Sequence, residues 1–191
     1  MEYTYIREYF NDRSEELKDS HIKDIKDLIQ FFKVEFNLKL HIHYGTLLGA
    51  VREQDFIKYD KDIDLVYISA YDSIDKVKQE IINIAKILTE KQMLIRDFNN
   101  RGQMHIRVPN GKFVVDVFTS WISNDKYNLV PFGELGNSDL IYPFKNGILR
   151  NVEFDIPNKS EELFDILYKD WKNPILKEEK YLKIPKRSIL K

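Results

Sequence analysis

The sequence predicts an α+β domain with a mostly antiparallel or mixed sheet flanked by helices. Two long segments repeat apolar residues at helical spacing, several short runs alternate apolar and polar residues, and Asn- and Gly-marked turns join consecutive runs into a meander. No internal repeat, low-complexity run or linker interrupts the chain. Residues 1–191 are therefore read as one domain.

Residues 14–36 read as the first helix. Ile22, Ile25, Leu28, Ile29 and Phe32 recur on one face, Asp12 and Ser14 are candidate caps, and Asn37 is a stop. The run LKLHIHY, 38–44, alternates like a strand; Gly45 breaks it, and TLLGAVRE reads as a short helix. IDLVYI, 63–68, reads as a second strand, and Ser73 opens a long amphipathic helix through Leu88. Residues 93–98 and 103–108 form a predicted hairpin about Asn100-Arg101-Gly102. After the turn signal Pro109-Asn110-Gly111, KFVVDVFTSW adds the next strand of that meander. Short strands and turns follow, with Asn146-Gly147 marking a hairpin. Ser160 opens a last helix, EELFDILYKDW, which Asn173-Pro174 ends. The tail 177–191 is basic and weakly periodic.

Bulk composition narrows the function. The hydrophobic fraction of 43% supports a real core, and the net charge of -1 gives no electrostatic case for nucleic-acid binding. Having no cysteine excludes disulfides, thiol nucleophiles and thiolate metal sites. The first residues lack the apolar stretch of a signal peptide, and no window approaches the roughly 18 apolar residues of a membrane span. The expectation is a cytoplasmic protein without a transmembrane segment. Its basic tail is a candidate for peripheral contact with the inner face of a membrane.

The chemistry concentrates in His43 to Val66. A strand end followed by Gly45-Thr46 and a helix offers unpaired N–H groups suited to a phosphate. In Asp60-Lys61-Asp62-Ile63-Asp64, strand alternation sends Asp62 and Asp64 to one face, with Asp60 joining them if the strand extends back. Such close carboxylates repel unless a cation or proton intervenes, and hard oxygen ligands favour Mg²⁺, Mn²⁺ or Ca²⁺. The bland alternative is a solvated acidic turn. Asp116 lies inside the apolar run Phe113 to Phe118, where an ionised side chain is costly without a partner. Beside the second strand it would complete a two-metal phosphoryl-transfer site; otherwise it is an outward-facing residue of a half-exposed strand. His41 and His43 alternate on one strand face and make a poor zinc site by themselves, with His43 the better candidate for substrate contact. Arg107, two residues from His105, is a candidate to neutralise phosphate, whereas Arg101 at the turn reads as solvated.

GTLLGAVREQDFIKYDKDIDL resembles the signature of the LicD family, which includes bacterial phosphocholine transferases and the domains of fukutin and fukutin-related protein, within the nucleotidyltransferase superfamily. The resemblance continues through Val115-Asp116-Val117-Phe118, Tyr142-Pro143-Phe144, Phe154-Asp155-Ile156-Pro157 and Leu167-Tyr168-Lys169-Asp170-Trp171, over a core of about 38–174. It implies a nucleotidyltransferase-like fold. It also implies a metal pair Asp62 and Asp64, a third carboxylate Asp116 and an auxiliary Asp60, holding Mg²⁺ or Mn²⁺ in a two-metal site. Gly45, Thr46 and Arg52 would line the donor phosphate. Lys58-Tyr59 departs from the family's Pro-Trp, and Lys61 from its central Asp. The implied activity moves a phospho-alcohol such as phosphocholine from a CDP-linked donor to a hydroxyl of a cell-surface glycan precursor of lipopolysaccharide, capsule or teichoic acid. Transfer of NMP from a triphosphate to a small molecule, protein or RNA, and a non-catalytic nucleotide-binding module, are the competing readings.

Overall fold

The computed structural model describes residues 8–98, 102–108 and 113–173. Asn100 and Arg101 of the expected first turn, the expected turn Pro109-Asn110-Gly111 and the basic tail 177–191 lie outside the described residues.

After a single turn of 3-10 helix, Phe10–Asp12, the first helix α1 spans Glu15–Phe36. Ser14 caps it, its hydroxyl accepting from the Leu17 N–H at 3.3 Å, and Asn37 ends it in the left-handed region at φ 54°. Its apolar face buries Ile22, Ile25, Leu28 and Phe32.

The main sheet orders its strands β1 (Leu40–Ile42), β2 (Asp64–Ile68), β5 (Val114–Ser123), β4 (Gln103–Arg107) and β3 (Leu94–Phe98), with β6 (Lys126–Leu129) and β7 (Gly133–Asn137) continuing from the far half of β5. The β2–β5 pair is parallel and every other pair antiparallel, so the sheet is mixed and β3, β4 and β5 form the expected meander. Helix α3, Ile74–Glu90, makes the first part of the crossover from β2 to the parallel β5. Ser73 occupies its N-cap position without a side-chain hydrogen bond.

Alternation splits the sheet into two faces. Leu65, Tyr67, Val115, Val117, Met104 and Ile106 are fully buried on one face, where Phe32 of α1 meets Tyr67. Asp64, Asp116 and His105 point to the other. Helix α2, Tyr44–Arg52, covers part of that second face, with Tyr44 against Phe118.

Four expectations shift. Gly45 does not break a strand: β1 ends at Ile42, His43 caps α2, and Gly45 lies in the helix's first turn. The second strand begins at Asp64, so Asp60 and Asp62 sit in the connection before it. Asn146-Gly147 lies within β8, Lys145–Leu149; the hairpin to β9, Val152–Ile156, turns at Arg150-Asn151, both at positive φ (49° and 63°) as a tight primed turn requires. The last helix, α4, spans only Ser160–Leu167, because Tyr168 is already extended. No helix among the described residues is long and apolar enough to cross a membrane.

Candidate functional site

The two central parallel strands bring the acidic residues together. Asp64 opens β2 and lies in register with Asp116 on β5, and the Asp116 N–H donates to the Ile63 carbonyl at 2.8 Å. Helix α2 then holds Asp64 from its own first turn. The Gly45 N–H donates to Asp64 Oδ2 at 3.1 Å, and the Asp64 N–H donates to Thr46 Oγ1 at 2.9 Å. Asp60 enters from the connection, its Oδ1 accepting from the Lys61 N–H at 2.7 Å. A Cβ on Gly45 would lie 2.3 Å from Asp60 Oδ2 and 3.3 Å from Asp64 Oδ2. Glycine is therefore required at position 45 because two carboxylate oxygens crowd its α-carbon. Asp62 is exposed at the mouth of this cluster.

Burial and mutual repulsion oppose ionisation here. Burial, with a smaller contribution from Asp62, pushes Asp60 up to about 6. Burial and then Asp62 raise Asp116 to about 7, against a hydrogen bond from Gln103. Asp64 is raised well above the usual carboxylate range by burial and by the charges of Asp60, Asp116 and Asp62.

Opposite β2, Asp116 faces β4. Gln103 Nε2 donates to Asp116 Oδ2 at 2.9 Å, and His105 Nε2 lies 3.5 Å from Oδ1. Arg107 follows on the same face of β4, two residues from His105.

The remaining expected contacts spread outward. Thr46 is buried as the Asp64 acceptor. His43 is fully buried, and its Nδ1 accepts from the Tyr44 N–H at 2.8 Å, so it organises the start of α2. Burial drives its pKa down to about 3 and holds His41 well below the ordinary value, leaving both imidazoles neutral. Arg52 sits at the far end of α2, donating to the Trp171 carbonyl at 3.0 Å and pairing with Glu53. Its charge reaches the buried Tyr168, which also feels Asp64 and Asp60.

The donor set is oxygen-rich, as Mg²⁺ or Mn²⁺ requires. Among the described residues no group of three or more His, Cys, Asp or Glu side chains is placed to hold a metal ion by itself. Mg²⁺ generally binds through one or two carboxylates completed by substrate phosphates and water, so an open set of this kind fits it. Two participants were not legible in the sequence: Gln103, which only the β4–β5 register reveals, and the turn around Phe10, whose N–H donates to the Asp60 carbonyl at 2.9 Å.

Comparison with known proteins identifies a family. The family model described as LicD/FKTN/FKRP, nucleotidyltransferase domain, matches residues 37–159, more than half of the chain. The uncharacterized protein RT0683 of Rickettsia typhi is 29% identical over 137 residues, which cover 69% of this chain and 39% of that protein. The chain thus spans well under half the length of this curated relative.

Proposed function

The chain belongs to the LicD/FKTN/FKRP nucleotidyltransferase family, a family of transferases, and from that membership we propose that it transfers a phospho-alcohol from a CDP-linked donor to a glycan hydroxyl with divalent cations. One observation carries the reading: Asp64 and Asp116, both half-buried, stand in register on adjacent parallel strands, with Asp60 and Asp62 at their side. A cluster so strongly biased against its own charge is stabilised by a cation.

Asp62, Asp64 and Asp116 would hold the cations, with Asp60 as auxiliary. When bound, Mg²⁺ or Mn²⁺ would neutralise the donor diphosphate and the charge developing at the leaving group. The chain's own residues do the positioning. Gly45 and Thr46 fix Asp64, and Gln103 fixes Asp116. Asp116 orients the acceptor hydroxyl and takes its proton. The hydroxyl oxygen then bonds to the distal phosphorus, the bridging P–O bond breaks, and CMP departs with that bond's electron pair. Arg107, on the His105 face of β4, would meet the donor phosphate; His43, buried at the start of α2, and Arg52, at its far end, would act through that helix rather than by contact. A cell-surface glycan precursor is the proposed acceptor, reached from the cytoplasmic side of a membrane.

A product assay tests the assignment. Supplied with CDP-choline or CDP-ribitol, Mg²⁺ and a glycan acceptor, the protein should release CMP and add the phospho-alcohol to the glycan. Incorporation of a nucleotide from CTP or ATP with pyrophosphate release would establish NMP transfer instead. Binding of these nucleotides without any turnover would identify a non-catalytic module.

A further inference from the structure

Residues 53–63 link α2 to β2 and form neither helix nor strand, so no ladder supplies partners for the backbone carrying Asp60 and Asp62. The N-terminal turn supplies them. The Phe10 N–H donates to the Asp60 carbonyl and the Asn11 N–H to the Lys58 carbonyl, both at 2.9 Å. Between these elements lies Arg13, which is only 5% exposed. Its Nη2 donates to the Lys61 and Glu8 carbonyls, each at 2.7 Å, and its Nη1 donates to His21 Nε2 on α1 at 2.8 Å. Arginine has no acceptor, so that last contact requires His21 to be neutral at Nε2. The guanidinium covers the Phe10 ring at 4.2 Å, and Phe10 stacks on Phe56 of the same connection at 4.3 Å and 7°.

We propose that Arg13 is a positioning residue for the cation site, a planar clamp that fixes the Asp60–Asp62 backbone against α1; this rests on the divalent-cation reading above. One guanidinium joins three segments that share no secondary structure. Lysine lacks the fork needed to bridge them. Lys61 is turned the same way, its Nζ 4.1 Å from the Tyr9 ring, which keeps its ammonium on the N-terminal segment. Burial disfavours the Arg13 cation, and the charges of Asp62 and Asp60 offset part of that cost.

The sign of the effect separates a clamp from a mere countercharge. A cation beside the cluster opposes a bound metal ion, so deleting a countercharge tightens metal binding, whereas deleting a clamp loosens it. Mn²⁺ titration calorimetry on the full chain should show Arg13→Met binding about tenfold or more weakly than wild type, as for other residues that orient metal ligands. Arg13→Lys, which keeps the charge without the fork, should be weakened as well. In chelator, hydrogen exchange of the 58–62 amides should speed up in both variants while the middle of α1 stays protected. Equal or tighter Mn²⁺ binding by Arg13→Met, or unchanged exchange at 58–62, overturns the proposal. If Arg13→Met does not fold, Arg13→Lys decides by the same two measurements. A wild-type chain that takes up no Mn²⁺ would sink the cation reading, and the exchange data would still decide whether Arg13 clamps the loop.

Discussion

Gly45 illustrates how a single side chain, or its absence, sets the chemistry. Within a helix, Gly→Ala ordinarily stabilises by about 0.5–1 kcal/mol. At this position the added methyl would meet Asp60 Oδ2, which is held in place while Asp60 Oδ1 accepts from the Lys61 N–H. Gly45→Ala should therefore leave the thermal midpoint close to wild type yet cut turnover about a hundredfold or more, as expected when catalytic groups are displaced by about an ångström. Full activity would show that Asp60 is dispensable. Asp116 supports a second expectation. Its folded pKa, near 7, lies above the value of an unfolded aspartate. Its contribution to stability is therefore complete below about pH 4 and lost as pH rises through 7. In chelator, Asp116→Asn should be more stable than wild type by about 1–3 kcal/mol at pH 8 and show no such gain at pH 4. Urea denaturation at the two pH values measures this, and equal stability at pH 8 would contradict it.

At the scale of elements, Arg150 fastens the β8–β9 hairpin to the rest of the domain. It reaches Glu15 at 2.7 Å, Asp19 at 2.8 Å and Asp55 at 3.1 Å. Glu15 and Asp19 are solvent-exposed, which screens these pairs, so Arg150→Ala should cost about 1–2 kcal/mol in denaturant titration and leave Mn²⁺ affinity unchanged. A change in Mn²⁺ affinity would mean that the hairpin couples to the site. The same hairpin marks where sequence reading stopped. Asn146-Gly147 carries a strong turn signal, yet Gly147 lies in a strand because a Cβ there would meet Ile156 Cγ2 at 2.7 Å. The true turn uses Arg150 at positive φ, an uncommon residue for that conformation, retained where its ion pairs lie. Periodicity located α1, α3 and the meander because each carries many repeats of one pattern. The start of α2 was missed because its cap is the ring of His43, not a hydroxyl or carboxylate.

Across the whole molecule, the acidic half of the site was legible and its supports were not. Alternating aspartates before an apolar run, and a lone Asp116 within another, identified the two strands that prove to be adjacent and parallel. Gln103, Arg13 and the turn at Phe10 gave no signal, since their roles depend on strand register and on contacts between distant parts of the chain. The central claim is that the clustered aspartates take up divalent cations together with a CDP-linked donor. Thermal denaturation with CDP-choline and Mg²⁺, each alone and combined, tests it most directly. The account predicts some stabilisation by Mg²⁺ alone, a larger one in combination, with about 2.7 kcal/mol more from a donor at a hundredfold its Kd, and neither in Asp64→Asn. Equal stabilisation without the ion, or an Asp64→Asn variant that responds like wild type, would contradict it.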